Sequence, residues 1–312
     1  MARAALPSPA MSFSAVGPEP TSRFFLSQRL RLHCVDWGNP SAPPLVLVHG
    51  GRDHARSWDR LARALRQEWH VVVPDLRGHG ESAHADGGRY ALPDFVLDLA
   101  ELVESLGTGP VTLVGHSLGG AVVLHYAGAH PERVARLVAL EGLGPAPDLR
   151  DRLLAVSAPQ RLRSFVEGTR ALARRAPRRY ASFEEAAARM REANPRLAPD
   201  LARHLTLHAL RRNDDGTFSW KFDPLVRSDS PLRPDFEGLA ALWANVRCPV
   251  LLLRGSESWA SDPVKDGRIR AFRDARLVNV EGAGHWMQHD RPDDVEREIR
   301  EFLAETRAPR GS

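Results

Sequence analysis

Ser117 stands in Gly115-His116-Ser117-Leu118-Gly119, a G-x-S-x-G pattern. A serine hydroxyl is a poor nucleophile at neutral pH. It needs a base within hydrogen-bond reach, an acid to orient that base, and N–H donors where an oxyanion would form. The chain holds candidates for all four parts, in the order serine, acid, histidine. Among its thirteen histidines, the base candidate is His285, in Gly282-Ala283-Gly284-His285-Trp286. It follows an apolar run ending at Val280, and the glycines of its loop let the ring reach across a sheet edge. His289, four residues on, is the alternative, while His130 and His204 are expected at the surface. The oxyanion donors are the backbone N–H of Leu118, next after the serine, and that of Gly51 in His49-Gly50-Gly51. A glycine there lets the backbone come close.

These residues need elements to position them. Pro110 to Val114 reads as a buried strand and the segment from Leu118 to Ala127 as a helix, so Ser117 sits in a sharp strand-to-helix turn. Leu45 to Val48 is a short, fully apolar strand that ends in the His49-Gly50-Gly51 turn. Phe24 to Leu26 and Leu30 to Trp37 form a hairpin, and Trp69 to Val73 and Val134 to Leu140 are further strands. Helical spacing marks Trp58 to Gln67 and Leu92 to Leu106. This alternation implies an α/β fold, a mostly parallel, doubly wound sheet with helices on both faces. From 145 to 245 the rhythm breaks. A capping box at Ser182 opens one helix, Asp200 is placed to cap another running to about Leu210, and Thr217 to Phe222 offers a short strand. The segment reads as an inserted, mainly helical cap. The core resumes with strands at Val250 to Leu253 and Ala275 to Val280 and a closing helix from Val295 to Leu303. The expected division is a tail over 1–21, a core over 22–144 and 246–306, a cap over 145–245, and a second tail over 307–312.

The turn at His49-Gly50-Gly51 with Trp58 downstream, the stretch Asp75-Leu76-Arg77-Gly78-His79-Gly80-Glu81-Ser82, the Ser117 elbow and Gly284-His285 together resemble the α/β-hydrolase superfamily, over about residues 22 to 305. The branch it is most similar to holds cap-containing serine hydrolase-like proteins and haloalkane dehalogenases. The resemblance implies the α/β-hydrolase fold, Ser117 as nucleophile, His285 as base, and a largely structural role for the Asp75 loop. Dehalogenases and epoxide hydrolases carry aspartate at the elbow, so Ser117 points to acyl chemistry instead. The resemblance also leaves a gap. Most members place their acid in the loop after the strand that follows the cap, and there this chain has Ser258. Glu141, at the end of the strand before the cap, where some dehalogenase-like relatives take their acid, is the expected replacement; the alternatives are Asp262, in a loop that can fold back, and Glu257, which alternation turns away.

Composition narrows the classes. The net charge is +4, with Lys221 and Lys265 the only lysines, and no basic run is interleaved with aromatics, so nucleic-acid binding is not expected. No stretch has the length of a membrane span, and no metal-ligand spacing or cofactor motif stands out. Cys34 and Cys248, in apolar surroundings, suit buried reduced thiols. The first twenty residues lack a continuous apolar core for a signal peptide, and the expected location is cytoplasmic. Trp58, Trp259 and Trp286 lie beside the loops of the site and are candidates for an apolar substrate wall. Arginine outnumbers the acids in the cap, which suits solvated helix faces or attraction of an anionic substrate. The expected activity is cofactor-free hydrolysis of a small-molecule carboxylic ester, expected to be apolar, or of a lactone. Alternatives are C–C bond hydrolysis of ring-cleavage diketones, perhydrolysis, or ligand binding without catalysis.

Overall fold

The computed structural model describes residues 19–305, except 89, 108, 229, 233 and 234. Most of the first expected tail, and the second entirely, lie outside these. The inner end of the first is ordered. Glu19 pairs with Arg56 at 2.7 Å, and Thr21 already opens strand β1 (Thr21–Ser27).

Eight strands form one sheet in the order β1-β2-β4-β3-β5-β6-β9-β10. β1 and β2 (Leu30–Asp36) form the expected hairpin, its turn carried by Gln28 and Arg29 at positive φ. β2 runs antiparallel to β4 (His70–Pro74). The others, β3 (Pro44–Val48), β5 (Val111–His116), β6 (Val134–Leu140), β9 (Val250–Gly255) and β10 (Ala275–Val280), pair in parallel. Side chains alternate across a strand, so a central strand of apolar residues feeds two cores. Val46 and Val48 of β3 enter the one formed with helices α2 (Leu92–Ser105) and α3 (Leu118–Ala129). Leu45 and Leu47 enter the other, with α1 (Asp59–Leu65) and the closing helix α10 (Pro292–Glu305).

The inserted segment holds α4 (Pro147–Ala155), α5 (Ala158–Arg174), α6 (Phe183–Ala193) and α7 (Pro199–Ala209), with a small hairpin of β7 (Leu210–Arg212) and β8 (Phe218–Trp220). Ser182 caps α6 as its sequence demands, accepting from the Glu185 N–H at 3.1 Å. The N-cap of α7 is Ala198; Asp200 sits within the first turn, where a carboxylate favours the helix dipole. Small apolar clusters around Tyr180 and Leu205 fix this segment internally. His54 Nε2 donates to the Leu205 carbonyl at 3.0 Å, tying it to the core. The last helix of the stretch read as cap, α8 (Phe236–Asn245), instead lies on α3. A Cβ on Gly128 would come within 2.5 Å of the Leu242 carbonyl, and Trp243 fills the core beneath.

Candidate active site

Ser117 has φ 53° and ψ −113°, between the end of β5 and the first residue of α3. A non-glycine residue there is strained, and the surroundings impose it. The Ser117 N–H donates to the Leu140 carbonyl at 2.8 Å. The glycines beside it are required by space. A Cβ on Gly115 would stand 2.4 Å from the Gly119 carbonyl, and one on Gly119 would stand 2.3 Å from that of Val48. This close packing turns the serine outward at the sheet edge, at the N-terminus of α3.

His285 arrives in the loop after β10. Its Nε2 lies 3.0 Å from Ser117 Oγ and its Nδ1 lies 2.5 Å from Glu141 Oε2. Glu141 directly follows β6 at φ 54°, with its side chain 1% exposed. Parallel pairing sets Leu140 beside Leu253, so Glu141 falls against the end of β9. There Oε1 accepts from the Gly255 N–H at 3.0 Å and Oε2 from Ser258 Oγ at 2.8 Å. The residue standing at the expected acid position is therefore a donor to the carboxylate. A buried carboxylate with three donors is satisfied as an anion.

The other two carboxylates do not reach His285. Glu257 turns to the surface and pairs with Arg196, which holds its carboxyl below the usual range. Asp262 caps its own turn, accepting from Val264 N–H at 2.8 Å. His289 is buried on α9 (Met287–Asp290), and burial pushes its pKa down. His130 is exposed, but His204 is half-buried and donates to the Arg56 carbonyl at 3.0 Å, contrary to its expected surface position.

The Gly50-Gly51 turn abuts the elbow. A Cβ on Gly50 would stand 3.4 Å from Ser117 Cβ, and one on Gly51 would stand 4.0 Å from Leu118 Cδ2. Two buried histidines brace this turn. His49 Nδ1 donates to the Gly50 carbonyl at 2.7 Å while its Nε2 accepts from Leu76 N–H at 3.0 Å. His79 Nε2 accepts from Arg52 N–H at 2.9 Å, which requires a neutral ring, and burial, then His49, pushes its pKa down to about 3. Asp75 Oδ1 accepts from Ala55 N–H at 2.6 Å, and Arg77 grips Asp98 through two bonds of 2.6 Å. The Asp75 loop is thus the strut behind the turn.

The residue just before Ser117, at the first x of the G-x-S-x-G pattern, is His116, to which the sequence assigns no role. Its Nε2 donates to the His285 carbonyl at 2.9 Å and the two rings lie 4.9 Å apart. Burial, then His285, pushes its pKa down to about 3, so it stays neutral.

The tryptophans part company. Trp58 is 2% exposed and packs in the core around α1, because a 3₁₀ turn over Ala55–Trp58 rotates it inward; it lines no substrate wall. Trp259 and Trp286, 77% and 39% exposed, flank His285 with ring centres at 4.8 and 5.0 Å. They open onto a cavity of about 570 Å³ between core and inserted segment, whose wall includes Gly51, His285, Leu205 and Phe222. Such a volume suits a small organic molecule. Among the described residues, one group offers metal-ligand geometry: Asp59, His204 and His208. Both Asp59 oxygens already accept from Arg56 Nε, at 2.7 and 2.8 Å, so this carboxylate is engaged in an ion pair.

Comparison with known proteins identifies the family. A model of the alpha/beta hydrolase family matches residues 45–298. An esterase of Mycobacterium tuberculosis is 30% identical over 84% of this chain and 82% of its own length. A lipase of the same organism is 46% identical, but over only 35% of this chain and 41% of the lipase. The crystal structure of a hypothetical protein from Pseudomonas aeruginosa superposes with a TM-score of 0.79 at 29% identity, covering 91% of this chain and 99% of that one. No helix among the described residues is long and apolar enough to cross a membrane.

Proposed function

This chain belongs to the alpha/beta hydrolase family, and on that footing we propose that it is a serine hydrolase that cleaves carboxylic esters through an acyl-enzyme on Ser117. The observation that carries the reading is the unbroken line of hydrogen bonds from Ser117 Oγ through His285 to Glu141. It also disfavours a ligand-binding protein without catalysis, since that reading needed His285 to lack a carboxylate.

The steps follow from the atoms. Ser117 Oγ attacks the ester carbonyl while His285 Nε2 takes its proton, and Glu141 stabilises the imidazolium that results. The tetrahedral oxyanion accepts from the N–H groups of Gly51 and Leu118, each worth about 2.7–4 kcal/mol of barrier. Collapse breaks the C–O bond, and His285 returns the proton to the leaving alcohol. Water, deprotonated by His285, then attacks the acyl-enzyme and releases the acid and Ser117. A lactone follows the same path with the alcohol retained on the acyl chain. Trp259 and Trp286 would wall the acyl site. The two buried free thiols, Cys34 and Cys248, support placing the enzyme in a reducing compartment such as the cytoplasm.

Hydrolysis of short p-nitrophenyl esters tests the reading. Turnover by the wild type and its loss in Ser117→Ala are expected. Equal turnover by both would refute it.

A further inference from the structure

Six arginines line the cavity that holds His285, and three of them, Arg52, Arg175 and Arg227, come from separate places in the chain. Arg52 follows the Gly50-Gly51 turn, itself at φ 65°. Arg175 is the C-cap of α5. Arg227 ends a 3₁₀ turn over Pro224–Arg227, which packs on α5 and is joined to it by Thr169 and Ser228 hydroxyls 3.3 Å apart.

Charge on this wall is unbalanced. Its acids are engaged: Glu257 with Arg196, Asp290 with the Gly284 N–H at 2.8 Å, and Asp53 with the His54 N–H at 2.9 Å. Arg189 has Glu192 at 2.7 Å. Among the described residues no carboxylate forms an ion pair with Arg52, Arg175 or Arg227. The three are near one another: partial burial, then Arg52 and Arg175, push the Arg227 guanidinium pKa down. Like charges converging on a concave wall that also holds Leu172 and Phe222 are costly alone and relieved by an anion.

We propose that this cavity takes acyl esters whose far end carries an oxyanion, a carboxylate or a phosphate, gripped by Arg52, Arg175 and Arg227. The proposal rests on the serine hydrolase reading of the same cavity and names its substrate class. The apolar wall holds the chain between the scissile ester and the anion. Guanidinium forks give the anion charge-assisted, paired hydrogen bonds. Because the arginines are exposed at the mouth, the preference weakens as salt rises.

Two measurements test it. The first compares kcat/KM for mono(p-nitrophenyl) adipate and suberate with that for p-nitrophenyl hexanoate and octanoate, in wild type and in the double variant Arg52→Gln/Arg227→Gln. The wild type should favour the anionic esters, and the ratio should fall about tenfold in the variant. A general loss of folding leaves that ratio unchanged. A wild-type preference for the neutral esters, or a ratio unaltered in a variant whose circular dichroism spectrum matches the wild type's, overturns the proposal. The second reads the arginines without turnover: calorimetric titration of Ser117→Ala protein with adipate and with pentyl phosphate. Saturable binding of either anion, lost when Arg52→Gln and Arg227→Gln are added, supports the proposal, and the tighter one identifies the anion. Binding of neither overturns it, whatever the protein does to esters.

Discussion

His285 Nδ1 meets Glu141 Oε2 at 2.5 Å, and Glu141 comes from the end of β6, not from the loop after β9. The two strands are neighbours in the sheet, so an acid on either can face the same ring. Changing Glu141→Gln keeps the shape and removes the charge that, in the proposed mechanism, orients and stabilises the imidazole. We expect kcat on a p-nitrophenyl ester to fall by about 10³–10⁴-fold with KM little changed. A loss under tenfold in a folded variant would mean that His285 works without this carboxylate.

Ser258 sits where an acid would reach His285 from β9, and instead donates to Glu141. Ser258→Ala should lower kcat by about tenfold, since a hydrogen bond to a charged group contributes about 1.5–3 kcal/mol. Moving the acid is the sharper check. Ser258→Asp placed on Glu141→Gln should recover part of the lost kcat, measured on the same ester. No recovery would show that the β9 loop no longer presents a carboxylate to the ring.

Gly119 leaves no room for a methyl group, with the Val48 carbonyl 2.3 Å from where its Cβ would lie. Backbone cannot step aside as a flexible side chain can. Gly119→Ala should destabilise the fold by about 3 kcal/mol, the upper end for overpacking, seen as a lower denaturation midpoint in urea. Gly168→Ala, on α5 with no atom within 4 Å of its Cβ position, is the control and should leave the midpoint unchanged or raise it slightly.

His79, His116 and His208 are held neutral, mainly by burial, with pKa values near 3, 3 and 2 against 6.5 for a free imidazole. The unfolded chain binds protons at these positions below pH 6.5 and the folded chain does not. Their contribution is therefore complete above pH 6.5 and is lost progressively as pH falls toward 3. Thermal midpoints should drop steadily from pH 7 to pH 4, and the slope should shrink in His208→Gln. A midpoint that stays flat over that range would contradict the neutral, buried state of these rings.

How far the chain could be read in advance depends on how local each signal is. Ser117 is fixed by its flanks, an apolar strand before and small residues after, and His285 by a strand end and two glycines. Their meeting follows from parallel strands that all end at one edge. The acid was not legible to the same degree, because no spacing says which of Glu141, Glu257 and Asp262 faces the ring. That depends on β6 lying beside β9 and on Glu141 adopting a positive φ. Trp58 was misplaced because nearness in sequence to a site loop says nothing of which way a 3₁₀ turn rotates the ring. Helix α5 carries a legible start, the capping box of Ser157 with Gln160, that the reading passed over, and neither α4 nor α5 buries a whole residue. Helix α8 was assigned to the insertion because its apolar face does not announce that its partner is α3. His49, His79 and His116 hold the turn and His285 through contacts that only the folded chain makes.

The central claim is an activated serine oriented through His285 and Glu141. Intact-mass spectrometry after treatment with a fluorophosphonate tests it most directly, on wild type, Ser117→Ala and Glu141→Gln. The account predicts one stoichiometric adduct on wild type, none on Ser117→Ala, and slow labelling of Glu141→Gln. An unlabelled, folded wild type, or an adduct that persists in Ser117→Ala, would contradict it.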